Sequence, residues 1–471
     1  MVHASQRHQD SKVLLFLMGI LILLPWFRGG EIQWQYSFFQ VCIYLTLCIA
    51  IFKRRSSNFQ ELSSIKFSLT VWSLYLLCTV IQTIPLPIGV VNFINPSIVD
   101  WYQGTYNIIN RQTLDYAPLT LSQDATQYES LKQTSYFALF ISFLLAIRTK
   151  KQAKTVLTVI MVTTTLASLY ALANYLTKGS ILYLKPLPPW NGSNHTTITG
   201  PLSYKNHFAA LLILTIPLAL GLLTTYKTSK LSHHPLGFLL SGRAFFLLVG
   251  VFLFFVLIFN TSRGGLLALV VSLLLSFALF KPKKILKTFH FKSWLKTSVA
   301  VIAMVLIILL SGLSDRLINR LESYGQNGRD IQRQTALTIL SDFPATGSGA
   351  GTFPIIQNSY KSEFLSGNKM WQHVHNDYLE LLSNQGILGF ILMGLTIAFL
   401  IFKLYSSIKL NERSTKWLQI SCFTSCNAFL IHSLIDFNFQ LPVLAAYFVT
   451  ILAVGLKIPT LRKAKRILTS E

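Results

Sequence analysis

Between residues 13 and 456, Asp, Glu, Lys and Arg are kept out of the middles of about twelve long apolar stretches. They lie at roughly 13–27, 34–52, 67–90, 134–147, 155–176, 206–225, 244–260, 265–280, 298–312, 378–402, 417–433 and 441–456. Each is long enough, or nearly so, to cross a hydrocarbon core of ~30 Å at ~1.5 Å per residue. Inside a bilayer the backbone must satisfy its own polar groups, so stretches of this kind become helices. The pattern therefore predicts an all-α polytopic membrane protein. Only 12% of the residues are charged, about half the share of a soluble domain. Disorder is excluded by a hydrophobic content of 52%. The first stretch is short and stops at Pro25-Trp26. No small-residue cleavage site follows it, so it reads as a retained helix rather than a signal peptide.

The net charge of +24 comes from 41 Lys and Arg against 17 Asp and Glu. With the N-terminus in the cytoplasm, Lys53-Arg54-Arg55, Arg148 to Lys154, Lys281 to Lys296 and Arg462 to Arg466 all fall on the cytoplasmic side, and so does the whole charge excess. That is the positive-inside pattern, and it places both termini in the cytoplasm. The basic balance thus reports topology and contact with anionic lipid headgroups rather than nucleic acid. Cys42, Cys48, Cys78, Cys422 and Cys426 all fall inside apolar stretches, so no disulfide framework is expected. Cys422 and Cys426 share a helix face, but no further ligand in that stretch completes a metal set.

Most loops are short, yet three on the outer side are long: 91–133, 177–205 and 313–377. Long loops in a compact protein tend to be functional. Pumps and transporters place ionisable groups near the midplane of their spans, and none occurs there in this chain. Chemistry is therefore expected at the outer membrane surface, in one integral domain spanning 1–471.

The loop 313–377 is the richest. Gly328-Arg329-Asp330-Ile331-Gln332-Arg333 leads into a segment whose Ile331, Leu337 and Leu340 suggest an amphipathic helix ending before Pro344. Arg329 and Arg333 are four residues apart and share a face. Two guanidinium forks suit a pyrophosphate or, equally, lipid headgroups. Thr346-Gly347-Ser348-Gly349-Ala350-Gly351 lacks a following Gly-Lys-Ser/Thr, so it reads as a flexible turn rather than a phosphate cradle. His373-Val374-His375-Asn376-Asp377-Tyr378-Leu379-Glu380 follows. Asp377 and Glu380 form a capping-box pattern, with a helix from about Tyr378 and His375 just ahead of its N-terminus. A neutral imidazole there could take a proton from a hydroxyl; the alternative is a histidine that only bonds the loop. In Asn260-Thr261-Ser262-Arg263-Gly264-Gly265, Thr261 or Ser262 can cap the next helix. Arg263 then sits in its first turn, a poor place for a cation, which marks either a functional residue or one reaching for headgroups. Asn206-His207-Phe208 and the stretch His432 to Pro442, with Asp436, put further polar groups at helix ends on the same side. No Asp-x-Asp occurs anywhere, so the usual metal grip on a nucleotide-sugar is missing.

These residues resemble the O-antigen ligase and polymerase superfamily. The motifs are Arg329-x-x-x-Arg333, Asp342-Phe343-Pro344, Gly347 to Phe353, His373 to Leu379 with Gly386-x-x-Gly389, Ser262-Arg263-Gly264, Asn206-His207-Phe208-Ala209 and His432-Ser433-x-x-Asp436-Phe437-Asn438. They occur in order across 200–460; the N-terminal third is similar in hydropathy, and Pro85-Leu86-Pro87 with its loop resembles members from exopolysaccharide clusters. The resemblance implies a glycosyltransferase-C-like protein of the bacterial inner membrane with a periplasmic active site. It would move a glycan from undecaprenyl pyrophosphate to a hydroxyl of lipid A–core, as a ligase, or of a second lipid-linked repeat unit, as a polymerase. Arg263 with Arg329 or Arg333 would bind the pyrophosphate, and His375 would act on the acceptor. His373, Asn376, Asn206, His207, His432 and Asp436 would support them, with no metal or cofactor. The rival expectation is a transporter or flippase for lipid-linked glycans, which twelve spans would also suit.

Overall fold

The computed structural model describes residues 2–52, 59–108, 114–178, 198–225, 241–280, 328–360, 372–409, 413–459 and 461. The main helices are α1 Val2–Leu23, α2 Gln33–Phe52, α3 Lys66–Ile81, α4 Ile88–Ile94, α5 Pro96–Ile108, α6 Gln123–Ala146, α7 Lys150–Leu176, α8 Lys205–Leu223, α9 Gly242–Phe259, α10 Arg263–Phe280, α11 Gly328–Asp342, α12 Phe353–Ile356, α13 Asp377–Lys409, α14 Arg413–His432 and α15 Pro442–Lys457. A two-residue antiparallel ladder joins β1 Leu86–Pro87 to β2 Tyr116–Ala117.

Among the described residues, seven helices are long and apolar enough to cross a membrane: Gln33–Phe52, Leu62–Ile81, Lys150–Leu176, Lys205–Leu223, Gly242–Phe259, Arg263–Phe280 and Asp377–Lys409. Ser11–Trp26 and Pro442–Lys457 are shorter apolar helices. The chain is thus an α-helical membrane protein of several spans, and the described residues do not contain all twelve expected ones. The stretch at 298–312 lies outside the described residues, as do 177–205 and 313–377 in part, and the basic clusters near 53–55, 281–296 and 462–466. The stretch at 134–147 is the apolar half of α6, which starts at Gln123 because Ser122 caps it through the Ala125 N–H. The stretch at 67–90 breaks at Ile81, since Pro85 and Pro87 offer no N–H to continue a helix.

At the centre lies α8, packed against α7, α9, α10 and α14. Small residues allow the close approach: a Cβ on Gly221 would come within 2.1 Å of Ser421 Oγ on α14. Buried hydroxyls are satisfied locally, as where Thr215 donates to Leu211 O, and between helices, as in the Thr164–Thr215 pair at 3.1 Å. α15 packs on α6 and α14, and α13 on α3. On α13, Ile387, Leu388, Ile391, Leu395 and Phe402 are about half exposed. Such a stripe is a liability in water and fits hydrocarbon.

A second, smaller core caps one end of the bundle. Val91, Ile98 and Leu119 meet Ile339, Phe343 and Phe353 there, so the loop before α6 folds onto the segment that carries α11 and α12. The face of α11 that packs inward is Gln332, Thr335, Ala336 and Ile339. Of the apolar residues that marked the helix in the sequence, Ile331 and Leu340 are part-buried and Leu337 is 49% exposed.

The glycine run is also not the flexible turn expected. α13 is broken at Gly386, with φ +61° and ψ −168°. The break frees backbone groups, and residues 344–349 take them up. Ile387 N–H donates to Pro344 O, Leu388 N–H to Ala345 O, Ser348 N–H to Ser383 O and Gly349 N–H to Asn384 O. A Cβ on Gly347 would lie 2.3 Å from Asn384, and one on Gly386 2.4 Å from Ala345 O. The run is buried and spliced into the broken helix.

Candidate functional site

The turn before α13 and the turn between α14 and α15 are stitched together by backbone bonds. Asp377 N–H donates to Ser433 O at 3.0 Å, and the Asp377 carboxylate accepts from the N–H groups of Asn438 and Phe439. Asn376, not Asp377, caps α13: its Oδ1 accepts from Tyr378 N and Leu379 N at 3.0 and 3.1 Å. The cap thus sits one residue before the expected one, and its reciprocal half from Glu380 does not form. Glu380 instead reaches back past the cap, accepting from Val374 N at 2.9 Å and pairing with His373 Nδ1 at 2.7 Å.

His375 is held in the left-handed region at φ +54°. For a non-glycine residue that conformation costs of order 1–3 kcal/mol and persists only where the surroundings enforce it. Its Nδ1 lies 3.2 Å from Asp436 Oδ1, with side-chain exposures of 18% for His375 and 1% for Asp436. Asp436 also accepts from Asn206 Nδ2 and from Phe437 N. Burial alone would raise the Asp436 carboxyl. The hydrogen bond from His375 and the nearby imidazoles of His207 and His432 outweigh it and hold the group well below the usual carboxylate range. An ionised Asp436 fixes Nδ1 of His375 as the donor, which leaves Nε2 of the neutral ring as a free acceptor.

Around this pair the rings close in on Phe437. His207, His373 and His375 lie 4.6–4.7 Å from it, centroid to centroid. Tyr204 stacks on Phe437 at 5.9 Å. The Tyr204 phenol oxygen accepts from Arg329 at 2.8 Å and from Asn206 at 2.9 Å. Burial and Asp436 hold that phenol above its ordinary range, against the pull of Arg329. Arg333 donates to His375 O at 3.4 Å and faces Asp330 at 3.7 Å, while its Nε has no partner among the described residues. Spare donors on two arginines beside an imidazole suit an anionic ligand.

The expected residues His375, His373, Asn206, His207, Asp436, Arg329 and Arg333 thus converge at one place. His432 lies just behind, paired with Asn438. Asn376 lies there as a helix cap. Arg263 opens α10, and Ser262 caps that helix through Gly265 N. A Cβ on the adjacent Gly264 would come within 2.3 Å of Ile435 and 3.5 Å of His432, so Arg263 stands beside the Asp436 turn. It makes no hydrogen bond or ion pair among the described residues. Tyr204 and the central role of Phe437 were missed; Tyr204 directly precedes the Lys205-Asn206-His207 helix start, where an aromatic could have been noticed.

An α-helical membrane protein with a basic, histidine-bearing site at one end of its bundle defines the class. Residues 248–394 match the family model described as O-antigen ligase. The match covers about a third of the chain and supports its place in the O-antigen ligase and polymerase superfamily. No curated protein matches the chain.

Proposed function

We propose that this protein transfers a glycan from an undecaprenyl-pyrophosphate donor to an acceptor hydroxyl at the periplasmic face of the inner membrane, as an O-antigen ligase or as an O-antigen or exopolysaccharide polymerase. The observation that carries the reading is the His375–Asp436 pair flanked by Arg329 and Arg333. In the reaction, the acceptor hydroxyl attacks the anomeric carbon of the donor. The bond from that carbon to the pyrophosphate oxygen breaks, a new glycosidic bond forms, and the hydroxyl proton passes to His375 Nε2. Asp436 holds the ring in the required tautomer and stabilises the imidazolium that results. Arg329, Arg333 and Arg263 bind the leaving pyrophosphate, where negative charge grows. Positioned donors of this kind contribute on the order of 10²–10³ in rate each, and general base catalysis about 10²–10⁴. His373, held by Glu380, and His207 line the same space and orient the sugars.

The test is the surface glycan pattern of a strain lacking the gene, complemented with wild type or with His375→Ala. Long chains stranded on the lipid carrier with bare core would mark a ligase. Loss of long chains with single repeats remaining would mark a polymerase. Restoration of the normal pattern by His375→Ala would overturn the enzyme reading and favour transport of the lipid-linked glycan.

A further inference from the structure

The small cap at one end of the bundle leaves an apolar face uncovered. In α4, Val91 is buried in the cap core with Ile339 and Phe343. Val90 and Phe93 are not: Phe93 is 89% exposed and Val90 about half exposed. They are three residues apart and share a helix face. Ile84, in the turn before β1, is also about half exposed. Among the described residues nothing covers this face, and it is a poor surface in water.

Thr346 fixes where the face lies. Gln82 follows the last residue of α3 and donates from Nε2 to Thr346 O at 2.7 Å. Asn95 follows the last residue of α4 and donates from Nδ2 to Thr346 Oγ1 at 3.3 Å. The ends of α3 and α4 are thus fastened to one residue, and Phe93 lies two residues from that fastening. The apolar helix Leu62–Ile81 has 20 residues, so it spans about 30 Å, the thickness of a hydrocarbon core. Its end at Ile81 therefore stands at the hydrocarbon boundary. Leu74, Leu77 and Val80 on α3 are about half exposed, and in a membrane they face lipid. Ile84 carries that apolar surface past the end of α3, and Val90 and Phe93 bring it to the cap at the level of the boundary.

Charge decides the kind of contact. From Ile84 to Ile108 the chain has one charged residue, Asp100, and no Lys or Arg. Anionic headgroups would find no cation to pair with there, whereas an apolar helix face enters hydrocarbon without one. Asp100 is exposed on α5 and marks a part of the cap that stays in water.

We propose that α4 dips its Val90–Phe93 face into the hydrocarbon edge of the leaflet at the capped end, and so pins the cap to the bilayer. Val91, on the same short helix, packs in the core that includes Ala336 and Ile339 of α11. The depth of α4 therefore sets the height of α11, with Arg329 and Arg333, above the bilayer. The role of those arginines rests on the glycan-transfer reading; the insertion of α4 does not.

The experiment uses the full-length protein in nanodiscs made with plain phosphatidylcholine or with phosphatidylcholine brominated on its acyl chains near the headgroup. Phe93→Trp adds one emitter to the eight native tryptophans, so its signal is the difference from wild type. Bromolipid should quench most of the emission added by Phe93→Trp and little of that added by Asp100→Trp. The result should be the same when phosphatidylglycerol is mixed in. An added emission at position 93 that bromolipid leaves intact would overturn the proposal and show the face covered by protein, from this chain or a second copy. Equal quenching at positions 93 and 100, or quenching that requires phosphatidylglycerol, would also overturn it. Because a variant could fold differently, wild type is also photolabelled in nanodiscs with a phospholipid bearing a diazirine on its acyl chain. Adducts on residues 90–93 beside those on α3 support the insertion, and adducts confined to the spans refute it.

Discussion

Asp436→Asn removes one charge from the site and almost no volume. The carboxylate accepts from His375 Nδ1 at 3.2 Å, from Asn206 and from Phe437 N, and its side chain is 1% exposed. The amide keeps at most one acceptor oxygen for these three donors, and it cannot offset a positive imidazolium. A buried hydrogen bond to a charged group is worth about 1.5–3 kcal/mol, and each 1.36 kcal/mol is tenfold in rate. The expected fall in kcat is therefore about 10–150-fold. The assay is glycan transfer by purified protein in nanodiscs at saturating acceptor. A kcat within threefold of wild type would refute the orienting role. The same variant has a pH signature. A carboxyl held below its unfolded range adds stability that is present above the unfolded pKa, about 3.9, and is lost as pH falls through the native value. The difference in unfolding temperature between wild type and Asp436→Asn should be largest near neutral pH and shrink below about pH 4. A gap that grows on acidification would contradict the assignment.

Further changes separate the other roles. Tyr204→Phe removes the oxygen that receives Arg329 and Asn206; donor KM should rise about tenfold at unchanged folding, and an unchanged KM would detach Tyr204 from donor binding. Arg263→Lys should lose most transfer activity if the site needs a two-pronged donor, whereas full activity would reduce the residue to simple charge. Asn376→Ala strips the cap from α13 and should lower stability by about 1 kcal/mol, read as a shift in thermal unfolding. Gly386→Ala places a Cβ 2.4 Å from Ala345 O at φ +61°. Strain and overpacking together should cost about 2–5 kcal/mol, seen as loss of folded protein in membranes; normal yield and melting would mean the break in α13 is not tightly spliced.

The apolar periodicity made the class of fold legible, because a bilayer leaves a twenty-residue apolar stretch few alternatives to a helix. It could not supply the exact spans. α6 begins in polar sequence and turns apolar halfway, and its buried Glu129–Lys132 pair hides among residues that read as loop. Likewise, the glycine run could not be told from a flexible turn, since its partners are the carbonyls of a helix break nearly forty residues downstream. The site fared better. Arginines and histidines at helix ends are rare enough in such a chain to be singled out one by one, but what each one touches was not readable. Asn376 was expected among the supporting polar groups and proves to be the cap, while Glu380, expected in the cap, holds His373.

The limits of the family match sharpen the same point. Residues 248–394 include Arg263, Arg329, Arg333, His373 and His375. They leave out Asp436, which orients His375, and Tyr204 and Asn206, which connect Asp436 to Arg329. The matched stretch therefore carries the groups proposed to face the ligand, while segments on either side of it carry the groups hydrogen-bonded behind them. A chain Arg329–Tyr204–Asn206–Asp436–His375 runs from the proposed pyrophosphate site to the proposed base in four hydrogen-bonded steps. Its five members come from four parts of the bundle: α11, the start of α8 with both Tyr204 and Asn206, the α14–α15 turn and the entry to α13. Losing any one of these elements would loosen both ends at once. The couplings of Tyr204→Phe with Asp436→Asn should therefore be non-additive in kcat, by about 0.5–3 kcal/mol in a double-mutant cycle, and strict additivity would show that the arginine and histidine ends work independently.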